Sequence, residues 1–398
     1  MKKRTKKALL ITAGAFVATL VVGAGALVVL NGPLTKEQLH EAVEAHLHSV
    51  VDNNEGVSSA LFTVASGQSG EVHEFAVGTT GPQSTEEASV DSQYHAASVG
   101  KTMLAVAFGQ LVDEGVVDWS DPISTWLDAE MLDGLFVVDG VDYADEVTIG
   151  QLLTHTSGAA DYFEGPVTSG TTTTIESLAD DPDHLFTPRE LVDFSREHQK
   201  PVGVPVESFS YSDTGYLLAG FVIEAIEAKT YDRVLEDRIF APLGMDDSYL
   251  MTEFGVANDI LSLDANGVDI SERNALSVDW AGGGVVTTMA DLLTFMRALT
   301  NGDLVSAEVY AAMSDFSNEI DPGIRYGLGM MQFNFGELSP LLFSMSNVHG
   351  AIGATGTFAF YDPSEDTYYI ANFGSLDFRE DAIGQLVEIR LLFDRLQG

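Results

Sequence analysis

Three short stretches of this chain carry residue types at spacings that could do covalent chemistry. In His95-Ala96-Ala97-Ser98-Val99-Gly100-Lys101-Thr102-Met103 a serine precedes a lysine by three positions at the mouth of an apolar run. Residues three apart lie one above the other on a helix face, so the amine can reach the hydroxyl. A serine hydroxyl is a weak nucleophile until a base takes its proton, and Ser-x-x-Lys brings that base within one turn. Alone, the pattern is also common as helix-surface decoration. The second stretch is Phe209-Ser210-Tyr211-Ser212-Asp213-Thr214-Gly215-Tyr216. Tyr211 and Asp213 flank one residue just before a helix, where both side chains can point the same way. Each has an ordinary reading too, tyrosine as a packing group and aspartate as a helix N-cap. The third is His349-Gly350-Ala351-Ile352-Gly353-Ala354-Thr355-Gly356-Thr357, a glycine-dense approach to a strand. Bare backbone there allows the close contact that an oxyanion hole of N–H groups requires, although a plain loop has the same look.

These residues need elements to hold them. Thr35 to Val50 reads as an amphipathic helix opened by a Thr35/Gln38 capping box. Ala60 to Ala65 and Val72 to Val77 read as a hairpin across Ser66-Gly67-Gln68-Ser69-Gly70. Helical signals then dominate: Val99 to Glu114, a helix capped by Thr187-Pro188-Arg189-Glu190, Asp213 to Lys229, and one opened by Thr288 with Asp291 that ends at Asn301-Gly302. Strand character returns at Gly356 to Tyr361 and Thr367 to Asn372, and an apolar helix from Asp381 to Leu396 follows. Strands at both ends with helices between predict an antiparallel sheet built from the two termini, with a helical region inserted.

The 398 residues, 45% of them hydrophobic, are enough for a large core. Charge is the extreme feature. Five of the 19 Lys and Arg (Lys2, Lys3, Arg4, Lys6, Lys7) stand at the N-terminus, so the remainder sets 14 basic against 60 acidic residues, a charge of −46. That field repels phosphate backbones and excludes nucleic acid as a partner. The acidity reads as a surface adapted to high salt, or as attraction for a cationic partner. Ala8 to Leu30 is a 23-residue uncharged run behind the basic cluster, long enough to span a bilayer, with positive-inside orientation placing the rest of the chain outside the cytoplasm. A cleaved signal peptide is the rival reading, since Ala24-Gly25-Ala26 offers a cleavage site. Residues 1–30 are thus expected to be an anchor or signal, and 31–398 one catalytic domain. With no cysteine, the chain has neither a lipid-modified cysteine nor disulfides.

Taken together the three stretches resemble the serine β-lactamase and penicillin-binding-protein superfamily, in its class C-like branch. That branch is marked by Ser-x-x-Lys, Tyr-x-Asn and a Lys or His followed by x-Gly. The corresponding residues are Ser98-Val99-Gly100-Lys101, Tyr211-Ser212-Asp213 and a variant third motif. Leu152-Leu153-Thr154-His155-Thr156-Ser157-Gly158, Pro242-Leu243-Gly244-Met245 and Trp280-Ala281-Gly282-Gly283-Gly284 also look like the family, and the likeness runs from about Val57 to Asn372. Two departures stand out. Asp213 replaces the common Asn, and counting back from Gly353 puts Ala351 where the cation is expected, with His349 two residues earlier.

The resemblance implies an α/β (α+β) fold of β-lactamase/transpeptidase type, with the site in a cleft between sheet and helices. It implies Ser98 as acylated nucleophile, Lys101 and Tyr211 exchanging the proton, and Asp213 favouring the protonated amine so that Tyr211 is the base. N–H groups of Ser98 and Ala354 would hold the oxyanion, with Asp213, Gly353 and His349 around the substrate; His155 is read as structural. No metal or cofactor is expected, and neither Gly-x-Ser-x-Gly nor His-Glu-x-x-His occurs. The implied activity is an extracytoplasmic serine hydrolase of esters or amides, of esterase or peptidase type, acting on a small molecule or peptide. A β-lactamase or D-alanyl-D-alanine carboxypeptidase, and a penicillin-binding or sensor module without turnover, remain alternatives; the oligomeric state stays open.

Overall fold

The computed structural model describes residues 32–168, 170–251 and 259–396. The apolar run from Ala8 to Leu30 therefore lies outside the described residues, and among the described residues no helix is long and apolar enough to cross a membrane.

The N-terminal helix α1 (Lys36–Asn53) starts at the Thr35/Gln38 capping box and buries Leu39, Val43, Leu47 and Val50, one stripe at helical spacing. The hairpin follows as β1 (Ser59–Ser66) and β2 (Val72–Gly78). Strand β1 is buried along almost its whole length while β2 alternates, as central and edge strands should. Five helices of the inserted region position the site: α2 (Gly100–Asp113), α3 (Pro188–His198), α4 (Asp213–Glu227), the short α5 (Trp280–Gly283) and α6 (Met289–Asn301). The last six strands are β3 (Asn318–Asp321), β4 (Ile324–Tyr326), β5 (Met331–Phe333), β6 (Val348–Ile352), β7 (Phe358–Asp362) and β8 (Thr367–Asn372), and α7 (Arg379–Phe393) closes the chain.

Eight strands form one antiparallel sheet in the order β3-β4-β5-β6-β7-β8-β1-β2, with Leu61 opposite Asn372 joining the two ends of the chain. The alternation of side chains divides the core into two layers. Leu61, Ala359 and Ile370 face the inserted helices, whereas Phe62, Phe358, Phe360 and Ala371 pack beneath α1 and α7.

Three expectations need correction. The third motif is more than an approach to a strand: His349 to Ile352 already lie in β6, and Gly353 to Thr357 make the turn into β7, which begins at Phe358 because Gly356 at φ +76° turns the chain and Gly353 N–H donates to Thr357 O. Strands β3 to β5 have no strong sequence signal, being only three or four residues long. The C-terminal helix begins two residues earlier than expected and ends at Phe393.

Candidate active site

Ser98 sits in a single 3-10 turn, Ala97–Val99, leading directly into α2. Ala97 takes φ +47°, a left-handed conformation that costs a residue with a Cβ about 1 kcal/mol or more. Its neighbours hold it there. Ala97 N–H donates to His95 Nδ1 at 3.2 Å, and Ala96 N–H donates to Val285 O, tying the turn to a three-stranded sheet of Tyr94–His95, Val285–Thr287 and Tyr249–Leu250.

One turn along α2, the Lys101 amine is buried and donates to Ser98 Oγ at 3.0 Å and to Gly282 O at 2.5 Å. It also pairs with Asp213 Oδ1 at 2.5 Å. Across the cleft the Tyr211 hydroxyl donates to Ser98 Oγ at 3.0 Å. The sequence reading of Asp213 as a possible helix cap fails for a simple reason: Ser212 caps α4 by accepting from Gly215 N–H, which leaves Asp213 as the first helical residue with its carboxylate on Lys101. His155 braces Tyr211. Its ring stacks at 4.1 Å from the tyrosine ring, and its Nδ1 accepts from Ser212 N–H at 3.1 Å. Burial, followed by the charge of Lys101, keeps His155 neutral well below the usual imidazole range.

The third motif approaches from β6. A Cβ on Gly353 would lie 2.7 Å from Ala97 Cβ and 3.2 Å from Ser98 N, so only glycine lets this backbone press against the Ser98 turn. Ala354 follows immediately. His349 is not brought into the site: it shares a 2.7 Å hydrogen bond with the Tyr310 hydroxyl, packs near Phe316 and Tyr361, and is held neutral, its pKa pushed down to about 4 by burial. Ala351 is buried on the helical side of the sheet and supplies no charge.

Sequence reasoning missed two carboxylates and a tyrosine. Asp161 accepts from the N–H groups of Asp213, Phe163 and Glu164, and Asp279 stands at the start of α5; burial first, then the nearby Asp213, pushes each up to about 7, with Lys101 opposing in the case of Asp279. Tyr326 packs against His155 and Tyr211, at ring distances of 4.7 and 6.3 Å. The one sequence signal for Asp279 was its place beside Trp280-Ala281-Gly282-Gly283-Gly284, since a run of glycines marks a close approach. Burial alone would push the Lys101 amine down, yet Asp213 and Asp279 outweigh it and raise it. Tyr211 is raised well above the ordinary phenol range by burial and by Asp213. Both groups are shifted toward their protonated forms: the same carboxylate that favours the ammonium disfavours a phenolate.

The family profile described as Beta-lactamase matches residues 49–384. The chain belongs to the beta-lactamase family. Penicillin-binding protein 4 of Amycolatopsis lactamdurans is 32% identical over 184 residues, 46% of this chain and 43% of that protein. The chain spans about half the length of the curated relatives it matches. Among solved structures, a D-stereospecific amidohydrolase from Streptomyces sp. is 26% identical with a TM-score of 0.70, covering 87% of this chain and 97% of that one. The D-amino acid amidase of Ochrobactrum anthropi SV3, solved with L-phenylalanine amide, shares the fold at 24% identity and a TM-score of 0.71, covering 89% and 98%. The described residues thus form a β-lactamase-family serine hydrolase domain with the antiparallel sheet and inserted helices of that fold.

Proposed function

We propose that this β-lactamase-family domain hydrolyses small neutral or amine-bearing amides and esters through an acyl-enzyme on Ser98. The observation that carries the reading is the convergence of Lys101 Nζ and Tyr211 OH on Ser98 Oγ, each at 3.0 Å, in a site whose other charged groups are carboxylates. In acylation, Lys101 in its free-amine form takes the Ser98 proton and the Oγ electron pair attacks the carbonyl carbon. The carbonyl electron pair moves onto oxygen, facing the N–H groups of Ser98 and Ala354; the second donor falls to Ala354 because Gly353 gives its N–H to Thr357 O. Collapse breaks the C–N or C–O bond, and the leaving group takes a proton from the Tyr211 hydroxyl, which is replenished from Lys101. Water then repeats the sequence on the acyl carbon.

Substrate charge follows from the same surroundings. A β-lactam or D-alanyl peptide presents a carboxylate, and here Ala351 and the neutral His349 leave the third motif without a cation, while the Asp213 carboxylate beside Ser98 and Lys101 repels an anion. The likeness to a D-stereospecific amidohydrolase supports the amide side of this reading. The apolar run at residues 8–30 supports an extracytoplasmic location. Intact mass after fluorophosphonate treatment is expected to show one adduct, mapping to Ser98. Relative kcat/KM for a p-nitrophenyl ester, a D-amino acid amide and a cephalosporin tests the substrate class; labelling that survives Ser98→Ala, or efficient cephalosporin turnover, would refute it.

A further inference from the structure

Behind the Lys101–Asp213 pair lies a carboxylate that the acyl-transfer steps do not use. Asp279 opens α5, and α5 carries the Gly282 carbonyl that binds the Lys101 amine. A Cβ on Gly282 would lie 2.9 Å from Asp213 Oδ1, 3.1 Å from Asp279 Oδ1 and 3.4 Å from Lys101 Nζ, so the three charged groups converge on one bare stretch of backbone. A Cβ on Gly283 would lie 2.6 Å from Asp279 Oδ2 and 2.4 Å from Ala97 O, the carbonyl just before the nucleophile. The glycines at 282 and 283 are what allow this carboxylate to stand so near the amine. The groups facing Asp279 are Lys101 on α2, Asp213 and Tyr211 at the start of α4, and Tyr162 on the preceding loop, with Asp161 behind Asp213. Two carboxylates, Asp213 and Asp279, act on one ammonium, and burial holds the proton on Asp279 up to about pH 7.

We propose that Asp279 is a positioning residue that acts through Lys101: when ionised it holds the amine as ammonium and withholds the base, and when protonated it releases the amine for Ser98. This rests on the acyl-enzyme reading above. The proton balance is closed. As the Lys101 ammonium gives up one proton Asp279 takes up one, so the proton count is unchanged, and the free amine then takes the Ser98 proton. Once Asp279 is ionised, the resting pair (ammonium, carboxylate) and the active pair (amine, carboxylic acid) contain the same number of protons. The active fraction then stops rising with pH.

The test is the pH profile of kcat/KM for a neutral ester, with fluorophosphonate labelling of Ser98 and a melting temperature as controls. The wild-type profile is expected to bend flat above about pH 7, whereas Asp279→Asn keeps climbing, so the ratio of variant to wild type grows by about 50- to 100-fold between roughly pH 6.5 and 9. Asp279→Glu is expected to restore the bend, which a purely structural role would not predict. Ser98 labelling with a ratio constant across the range overturns this proposal alone. Absence of Ser98 labelling in the wild type overturns the acyl-enzyme reading and this proposal with it. Should Asp279→Asn fail to fold, the wild-type profile still decides: a limb that climbs with unit slope through pH 9 refutes the role.

Discussion

Among the described residues two ion pairs are buried, one on each side of the sheet, and they are built to opposite ends. On the outer side, Arg390 of α7 meets Asp362 at the end of β7 at 2.6 Å, with both side chains almost wholly buried. Hydrogen bonds surround both members of this pair. Arg390 also donates to Ser346 O and Oγ and lies 5.2 Å from the Phe335 and Tyr369 rings, while Asp362 Oδ1 accepts the N–H groups of Ser364 and Glu365. On the inner side, Lys101 meets Asp213 with similar burial, but a further carboxylate, Asp279, acts on it and one of its hydrogen bonds goes to the Ser98 hydroxyl. A buried pair with its hydrogen bonds filled is a fixed strut. One with surplus charge has proton-transfer steps within reach of neutral pH, which is what catalysis uses.

The sharpest way to break this comparison is to cut each side separately. Ser98→Ala is expected to lower kcat/KM by about 10⁴-fold or more while shifting the unfolding free energy by less than about 1 kcal/mol. Arg390→Met is expected to do the reverse, costing about 3–5 kcal/mol in denaturant unfolding by leaving Asp362 buried and unpaired, with kcat/KM per folded molecule within about threefold. A comparable activity loss in both variants would show that the two sides are coupled through the sheet. A smaller effect is expected from Asp213→Asn, which removes the charge beside Lys101. The ratio of kcat/KM for a cephalosporin to that for a neutral ester is expected to rise about tenfold, and an unchanged ratio would place the selection against anions elsewhere. The smallest effect concerns the whole surface. Screening of the −46 excess is expected to raise the melting temperature by about 3–6 °C from low salt to molar NaCl, and a flat or falling curve would assign the acidity another purpose.

What was legible in the sequence was local. Ser98 and Lys101 lie three apart, and a helix brings them together by its own pitch. The caps at Thr35, Thr187 and Thr288 and the stop at Gly302 are each decided within a few residues. The hairpin at Ser59–Gly78 and the pairing of chain ends follow from alternation and from the placing of strands at both termini. The family order of the three motifs added Tyr211 and Gly353, which no local spacing would have brought to Ser98.

Only the tertiary structure decided the electrostatics. Asp161, Asp213 and Asp279 are separated by 52 and 66 positions, and each looks like an ordinary acidic residue among 60. They become a cluster because α4 and α5 pack against α2 through glycines that admit no Cβ. The fate of His349 was equally invisible: which partner fills the space beside a histidine depends on the helix across the sheet, and Tyr310 fills it. Sequence thus determined the groups that local geometry joins, and the packed fold determined which of them carry a proton, because burial and charges distant in the chain set that balance.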